Sequence, residues 1–182
     1  MTSRRGTNKS IWKLMELIPD NIYHIYNRGI DRQTIFFNRK NYLFFLKKMR
    51  DYLNPYINFL SYCLMPNHFH FQIQIPTNFN SEQFNNGFKI LLSSYSRAIN
   101  NQEQRTGSLF QQNTKAKCLT DETGIANKYS LVCFNYIHRN PVSSNLTDKM
   151  ENWEFSSFKD YSGERNGNLC KQRACSNSIR NS

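Results

Sequence analysis

The most informative segment of the chain is a run in which two histidines alternate with apolar residues. Residues 66–75 read Pro-Asn-His-Phe-His-Phe-Gln-Ile-Gln-Ile. Because strand side chains point alternately to two faces, His68 and His70 share one face with Gln72 and Gln74, and the apolar residues occupy the other. Neutral imidazole is a common metal ligand, so this face offers half of a metal site on a rigid element. The alternative is a pair of polar residues on a solvated face.

The ligand types narrow the choice of metal but leave its identity open. Two imidazoles favour Zn, Mn, Ni or Co over Mg. A phosphate oxygen, together with a carboxamide or a water molecule, would shift the preference of the site towards Mg or Mn.

A second group of reactive side chains lies in a predicted helix near the C-terminus. Tyr136 and Asn140 are four residues apart and share a helix face, together with Tyr129. A tyrosine oxygen can attack phosphorus and form a covalent intermediate when a cation is nearby. The amide of Asn140 is a candidate third metal ligand. From spacing alone, an ordinary helix tyrosine followed by a capping asparagine before Pro141 is the favoured interpretation.

Size and charge limit the classes of protein to consider. The chain has 182 residues and a net charge of +11. This indicates one basic domain with a polyanionic partner, for which nucleic acid is the first candidate. It has five cysteines without a Cys-x-x-Cys pair, no secretory signal and no apolar run long enough for a bilayer. These features predict a reduced, cytoplasmic, nucleoid-associated protein that does not bind membranes.

Hydrophobic periodicity predicts the element order β-α-β-β-α-β and then a further helix. This order is typical of an α+β, ferredoxin-like split βαβ fold, with a four-stranded antiparallel sheet and helices on one face. The histidine strand would be central, with its polar face uncovered. The predicted strands are 21–28, 57–65, 68–75 and 105–117, with Pro66-Asn67 as a tight connection between the second and the third. The predicted helices are 39–53, 82–101 and 122–140, the last stopped by Pro141.

Composition divides the chain into three parts. Residues 1–18 are basic and predict a flexible arm, and residues 19–161 form the single folded domain. Residues 162–182 are polar and rich in Gly, Asn and Ser, which predicts a basic, disordered tail.

Four motifs together resemble a known family. They are Tyr-Cys-Leu-Met-Pro-Asn-His-Phe-His-Phe from residue 62, Gly-Ser-Leu-Phe-Gln from 107, Tyr-Ile-His-Arg-Asn-Pro-Val from 136 and Trp-Glu-Phe-Ser-Ser-Phe from 153. They resemble the single-tyrosine transposases of the HUH class, in the insertion-sequence-200-like and REP-associated branch. The Asn-Arg-Gly of residues 27–29 agrees with that branch, and the resemblance spans residues 20–161.

The resemblance implies a metal-dependent endonuclease and strand transferase that acts on single-stranded DNA, often beside a hairpin. It implies that His68, His70 and Asn140 bind the divalent metal, Mg or Mn, and that Tyr136 on the C-terminal catalytic helix is the nucleophile. The product would be a 5′-phosphotyrosine and a free 3′-OH. Relatives act as monomers or as homodimers, so the resemblance leaves the oligomeric state undecided.

Basic residues along the chain are candidates for contacts with DNA phosphates, although only their sum is informative. They are Arg4, Arg5, Lys9, Lys13, Arg28, Arg32, Arg97, Arg105, Lys115 and Lys117.

Two other functions compete with the transposase hypothesis. A catalytically silent, domesticated relative would bind nucleic acid without metal or cleavage. A metal hydrolase using water would leave Tyr136 structural, but no Asp or Glu stands beside the histidine pair to activate that water.

Overall fold

The computed structural model describes residues 15–120 and 128–170. The strands are β1 (Ile22–Arg28), β2 (Asn58–Met65), β3 (His68–Gln74) and β4 (Lys115–Cys118). The helices are α1 (Arg39–Tyr52), α2 (Ser81–Gln102), α3 (Lys128–Ser143) and the short α4 (Phe158–Tyr161), with 3₁₀ turns at Ile30–Arg32 and Met150–Asn152. Asparagines begin both long helices: Asn38 forms a capping box with Asn41, and the side chain of Asn80 accepts a hydrogen bond from the backbone of Gln83.

The four strands form one antiparallel sheet in the order β2-β3-β1-β4. The predicted ferredoxin-like α+β plan is therefore confirmed, with β1 and β3 in the centre. Only Pro66 and Asn67 separate β2 from β3, and the carbonyl of Pro66 accepts hydrogen bonds from the backbone of Ile35 and Phe36.

One face of the sheet forms the main core with α1 and α2. From β3, Phe69 and Phe71 are fully buried there and stack with ring centroids 4.6 Å apart. Phe45 of α1 and Tyr95 of α2 meet edge to face at 4.8 Å, and the Tyr95 hydroxyl donates to the backbone oxygen of Ile35. This aromatic core fixes which face of β3 points inward.

The opposite face was predicted to be uncovered, but α3 lies across part of it. Cys133 and Ile137 of α3 pack in a second, smaller apolar cluster with Cys63, Met65 and Leu119. The sequence prediction judged this face from the polar residues of β3 alone. It missed the contact because the apolar residues under α3, Cys63 and Met65, belong to β2.

The fourth strand is shorter than the predicted 105–117. Leu109 and Phe110 are adjacent in sequence and both buried in the main core, which a regular strand with alternating faces does not allow. The chain first runs past the end of β1, where Phe110 bridges Gly29. Regular pairing with β1 begins at Lys115.

The predicted end of the third helix at Pro141 is wrong. Pro141 lies inside α3, and the bonds from Ser144 to the carbonyl of Asn140 and from Leu146 to the carbonyl of Pro141 continue the turn. A proline inside a helix removes one hydrogen bond and crowds the carbonyl four residues before it, and here the burial of Asn140 and Pro141 against the domain offsets that cost. Asn145, in the left-handed region with φ of 54°, ends the turn. Predicted residues 122–127 lie outside the described part.

Both predicted segment boundaries need correction where the structure describes them. Leu17, assigned to the flexible arm, is buried, and the backbone N–H of Met15 donates to the side chain of Asn85 on α2. Residues 162–170, assigned to the tail, are described, and Leu169 and Cys170 are buried in the main core. The rest of the arm and tail, including Arg4, Arg5, Lys9 and Lys13, lies outside the described residues.

Among the described residues, no helix combines the length and apolar character that crossing a membrane requires.

Arg165 fastens the chain after α4 to the domain. Its guanidinium donates to both carboxylate oxygens of the buried Asp160, at 2.5 and 3.0 Å, and to the backbone oxygens of Glu154 and Ser156. The hydrogen bond to Asp160 is the main reason why the pKa of Arg165 lies above its usual value. The same guanidinium donates to the hydroxyl of Tyr62 on β2. This cluster explains why the predicted tail begins too early.

We expect Arg165→Met to lower the free energy of unfolding by about 2 kcal/mol, because it leaves the Asp160 carboxylate buried without its partner, and the partial exposure of Arg165 moderates the loss. Urea denaturation measures the change. Arg39→Met is the matched control, since the ion pair of Arg39 with Glu154 is exposed at both ends and should contribute little. Equal losses in the two variants would contradict the assigned role of Arg165.

Candidate metal and nucleotide cleft

A cleft of about 380 Å³ opens on the sheet face that α3 partly covers. It lies where the ends of β1 and β3 meet the segment before β4 and the side of α3. Its lining combines imidazole, phenol, amide and basic groups, without any carboxylate: Tyr26, Asn27, Arg28, His68, His70, Gln111, Asn113, Lys115 and Tyr136.

The two predicted histidines lie side by side in this cleft. The ring centroids of His68 and His70 are 5.0 Å apart, and the planes are nearly perpendicular. His70 is only 6% exposed, so its ring is largely shielded from water. Their common face follows from the strand alternation, because Phe69 between them points into the aromatic core.

Helix α3 brings Tyr136 and Asn140 to the histidines. The ring of Tyr136 is 51% exposed and stands edge-on to His70, with centroids 5.5 Å apart. The Asn140 side-chain amide donates to the backbone oxygen of Tyr136 at 3.2 Å and hydrogen-bonds the ring of His68. The structure thus brings all four candidate catalytic residues together.

Burial keeps the imidazoles of this cleft in their neutral form. It lowers the pKa of His70 to about 2, assisted by His68 and His24, and it lowers the pKa of His24 to about 4, assisted by Lys117. Burial also lowers the pKa of His68, against the hydrogen bond to Asn140, which raises it. Neutral imidazole has the lone pair that a metal ligand needs, so both rings are in the ligand form at neutral pH.

The donor set agrees with a divalent cation. Two imidazoles and one carboxamide meet here: the Asn140 NH₂ donates to the Tyr136 carbonyl, and the same side chain hydrogen-bonds His68. No cluster of three or more His, Cys, Asp or Glu able to hold a metal occurs in residues 15–120 and 128–170. Among these residues, Asn140 contributes an amide that contacts the pair.

His24 and Tyr26 of β1 also belong to this site, and the sequence prediction missed them. His24 Nε2 lies 2.9 Å from His70 Nδ1, and the ring of Tyr26 lies 5.8 Å from that of His70. A usable signal existed: His24, Tyr26 and Arg28 alternate in the same way as the histidine strand, and β1 was predicted to be the other central strand.

The predicted DNA-binding residues fall into two described groups. Arg28 and Lys115 line the cleft, and Lys117 pairs with His24 across the sheet, which places it on the same face. Arg32, Arg97 and Arg105 are described but do not line the cleft, and Arg97 belongs to α2 on the other side of the sheet.

Helix α3 is held against the rest of the domain by residues that lie between Tyr136 and Asn140. Ile137 is fully buried in the second cluster, and His138 Nε2 lies 2.8 Å from the hydroxyl of Ser157. Farther back, the side chain of Gln72 on β3 donates to the backbone oxygen and the hydroxyl of Ser130. These contacts hold α3 in the position that presents Tyr136 to the cleft and places Asn140 beside His68.

Comparisons with known proteins agree on one family and one fold. The family model described as "Transposase IS200 like" matches residues 18–140. A solved structure described as that of a REP-associated tyrosine transposase bound to a REP hairpin is similar, with a TM-score of 0.61 and 15% identity. That match covers 89% of this chain and 86% of the other. No curated protein matches the chain.

We expect Ile137→Ala to lower the free energy of unfolding by about 3 kcal/mol, because it removes a fully buried side chain from the small cluster that holds α3. Val132→Ala is the matched control, since Val132 lies on the same helix but is 60% exposed. Urea unfolding curves of both variants give the comparison. If Val132→Ala lowered the free energy of unfolding as much as Ile137→Ala, the role of Ile137 in holding α3 would be wrong.

Proposed function

This chain belongs to the family of IS200-like transposases, and we propose that it cuts and rejoins single-stranded DNA through a covalent bond to Tyr136. The observation that carries the proposal is the meeting of the exposed Tyr136 ring with the histidine pair in a basic cleft. A tyrosine on an exposed helix face, beside cation ligands, has the access and the surroundings that attack on a phosphodiester requires.

The proposed reaction exchanges one phosphoester bond for another. The Tyr136 oxygen attacks the scissile phosphorus and loses its proton, and the bond from phosphorus to the 3′ oxygen breaks. The DNA 5′ end is then held as a phosphotyrosine, and the departing oxygen takes up a proton to become a free 3′-OH. Attack by a 3′-OH on the phosphotyrosine reverses the step, so rejoining needs no nucleotide cofactor.

We propose that His68, His70 and Asn140 hold a divalent ion, Mg or Mn. When bound, this ion supplies positive charge that polarises the phosphate and stabilises the charge developing on it. The protein's part is to keep both imidazoles neutral by burial, and to keep the amide of Asn140 oriented through its bond to the Tyr136 carbonyl.

Arg28 is the group best placed to bind the scissile phosphate. It pairs with His68 across β1 and β3 and lines the cleft with Tyr136. Its Nε is buried and has no hydrogen-bond partner within residues 15–120 and 128–170. A buried guanidinium N–H without an acceptor is costly, and the other N–H groups of the fork give Arg28 the donors that a phosphate in the cleft requires.

The proposed DNA partner is a single strand beside a hairpin. The similar solved structure is described as bound to a REP hairpin, and this is one support for the proposal. Tyr26, which is 37% exposed at the cleft, provides a ring on which an unpaired base can stack. Lys115 and Lys117 of β4 supply positive charge along the proposed path of the DNA strand. We extend the proposal to the basic residues 4–13, as further contacts for DNA phosphates, and to a nucleoid location in the cytoplasm.

We expect Tyr136→Phe to abolish the covalent protein–DNA adduct, because the substitution removes the attacking oxygen and keeps the ring. The adduct is measured on a denaturing gel with labelled single-stranded hairpin DNA from the flanks of the gene, with Mn²⁺, with Mg²⁺ and with chelator. Tyr129→Phe is the matched control on the same helix and should keep the adduct.

The other outcomes of that gel separate the rival functions. Cleavage without an adduct that survives Tyr136→Phe would indicate a water-using hydrolase. Binding without metal, and with no cleavage on a panel of flanking hairpins, would favour a catalytically silent binder.

We expect Arg28→Gln to weaken single-stranded DNA binding and to lower the slope of log affinity against log salt by about 0.7, the value for one lost phosphate contact. Fluorescence anisotropy at several salt concentrations measures both quantities. Lys40→Gln is the control with the same charge change, because Lys40 is exposed on α1, on the far side of the sheet. An unchanged slope in Arg28→Gln would remove Arg28 from the phosphate site.

A further inference from the structure

Each histidine of the cleft has its Nδ1 held by a neighbouring side chain. His68 Nδ1 lies 2.6 Å from the side-chain oxygen of Asn67, and His70 Nδ1 lies 2.9 Å from Nε2 of His24. Because Nδ1 is engaged in both rings, Nε2 is the nitrogen of each that can bind a ligand in the cleft. The same arrangement thus occurs twice, with a different partner each time.

The proton of His68 can be located from the hydrogen bonds of Asn67. The Asn67 NH₂ group donates to the backbone oxygen of Arg32 at 3.2 Å, which orients the amide so that its oxygen faces His68. An amide oxygen only accepts, so Nδ1 of His68 must carry the proton. In a neutral ring this leaves the lone pair on Nε2.

At a separation of 2.9 Å, Nε2 of His24 and Nδ1 of His70 share one proton, because a hydrogen bond needs one donor and one acceptor. If His24 donates it, the Nδ1 lone pair of His70 is used and its Nε2 carries a hydrogen, which prevents ligand binding there. If His70 donates it, Nε2 of His70 has the free lone pair. The ring of His24 therefore decides whether His70 can act as a ligand through Nε2.

We propose that His24 is a positioning residue that accepts the Nδ1 proton of His70, so that both histidines of the pair present an Nε2 lone pair to one cation. The cation in this inference rests on the proposed function, whereas the position of the proton on His70 does not depend on it. His24 is suited to this role because β1 and β3 are the paired central strands, and its ring lies side by side with that of His70, with centroids 5.0 Å apart and planes 25° apart.

Outer partners of metal-binding histidines fix ring orientation and the position of the proton, and their loss typically lowers metal affinity by about 10- to 100-fold. Asn67, in the turn between β2 and β3, would fix the ring orientation and the proton of His68. His24 of β1 would do the same for His70. With both partners in place, the two rings are oriented before any ion arrives.

The first test reads the proton position in the metal-free protein. The chain has four histidines, so the imidazole ¹⁵N resonances can be assigned by substituting each in turn. We expect His70 to carry its proton on Nδ1 in the wild type and in His24→Gln, whose amide oxygen can accept. In His24→Leu, which offers no acceptor, we expect the proton to redistribute towards Nε2.

The second test measures binding of Mn²⁺ or Co²⁺ by calorimetry. We expect His24→Leu to lose about 10- to 100-fold in affinity and His24→Gln to recover most of that loss. A generally misfolded site would not be rescued by glutamine, and circular dichroism verifies that both variants are folded. Tyr129→Phe, on the same helix but outside the cleft lining, is the control variant and should change neither the His70 proton nor the metal affinity.

The outcomes separate the two proposals. A wild-type His70 protonated on Nε2, or a His24→Leu variant with unchanged proton position and affinity, would overturn the role of His24 even if the Tyr136 adduct forms. Failure of the wild type to bind the ions or to form the adduct would overturn the proposed function. In that case the ¹⁵N data would still decide whether His24 sets the proton on His70.

Discussion

The burial of alternate side chains on β3 is the constraint on which the rest of the structure depends. Phe69 and Phe71 fill the aromatic core between the sheet and α1 and α2. Because strand side chains alternate, this burial directs His68 and His70 to the other face. A slip by one residue in the pairing would turn the histidines into the core and the phenylalanines out of it, at a large cost in free energy. The burial of the two phenylalanines thus directs both histidines to the cleft, although the phenylalanines themselves do not line it.

Helix α3 contributes to both folding and chemistry because its neighbouring residues point in different directions. Ile137 and His138 are buried against the sheet and the chain after α3, while Tyr136 lines the cleft and the buried Asn140 hydrogen-bonds His68. The helix is attached from several sides: by the small apolar cluster, by the contact of His138 with Ser157, and by hydrogen bonds from Gln72. A partly exposed tyrosine can thereby be held close to a shielded histidine.

Burial of polar groups at the site is compensated by specific partners. His70 is paired with His24, His68 with Asn67 and Asn140, and Gln72 with Ser130. Such pairing is needed because a buried polar group without a partner is destabilising. The Nε of Arg28 departs from this pattern, because it is buried without a hydrogen-bond partner among the described residues.

The sequence alone determined the element order, the shared face of His68 and His70 and the shared helix face of Tyr136 and Asn140, because these follow from local periods of two and 3.6 residues. Only the tertiary structure decided that α3 crosses the histidine face, that residues 162–170 pack onto the domain, and that His24 adjoins His70. These contacts join segments far apart in the chain, and their register depends on packing that no local pattern records. For the same reason Pro141 and the residues before β4 were misjudged, since tertiary contacts there override local preferences.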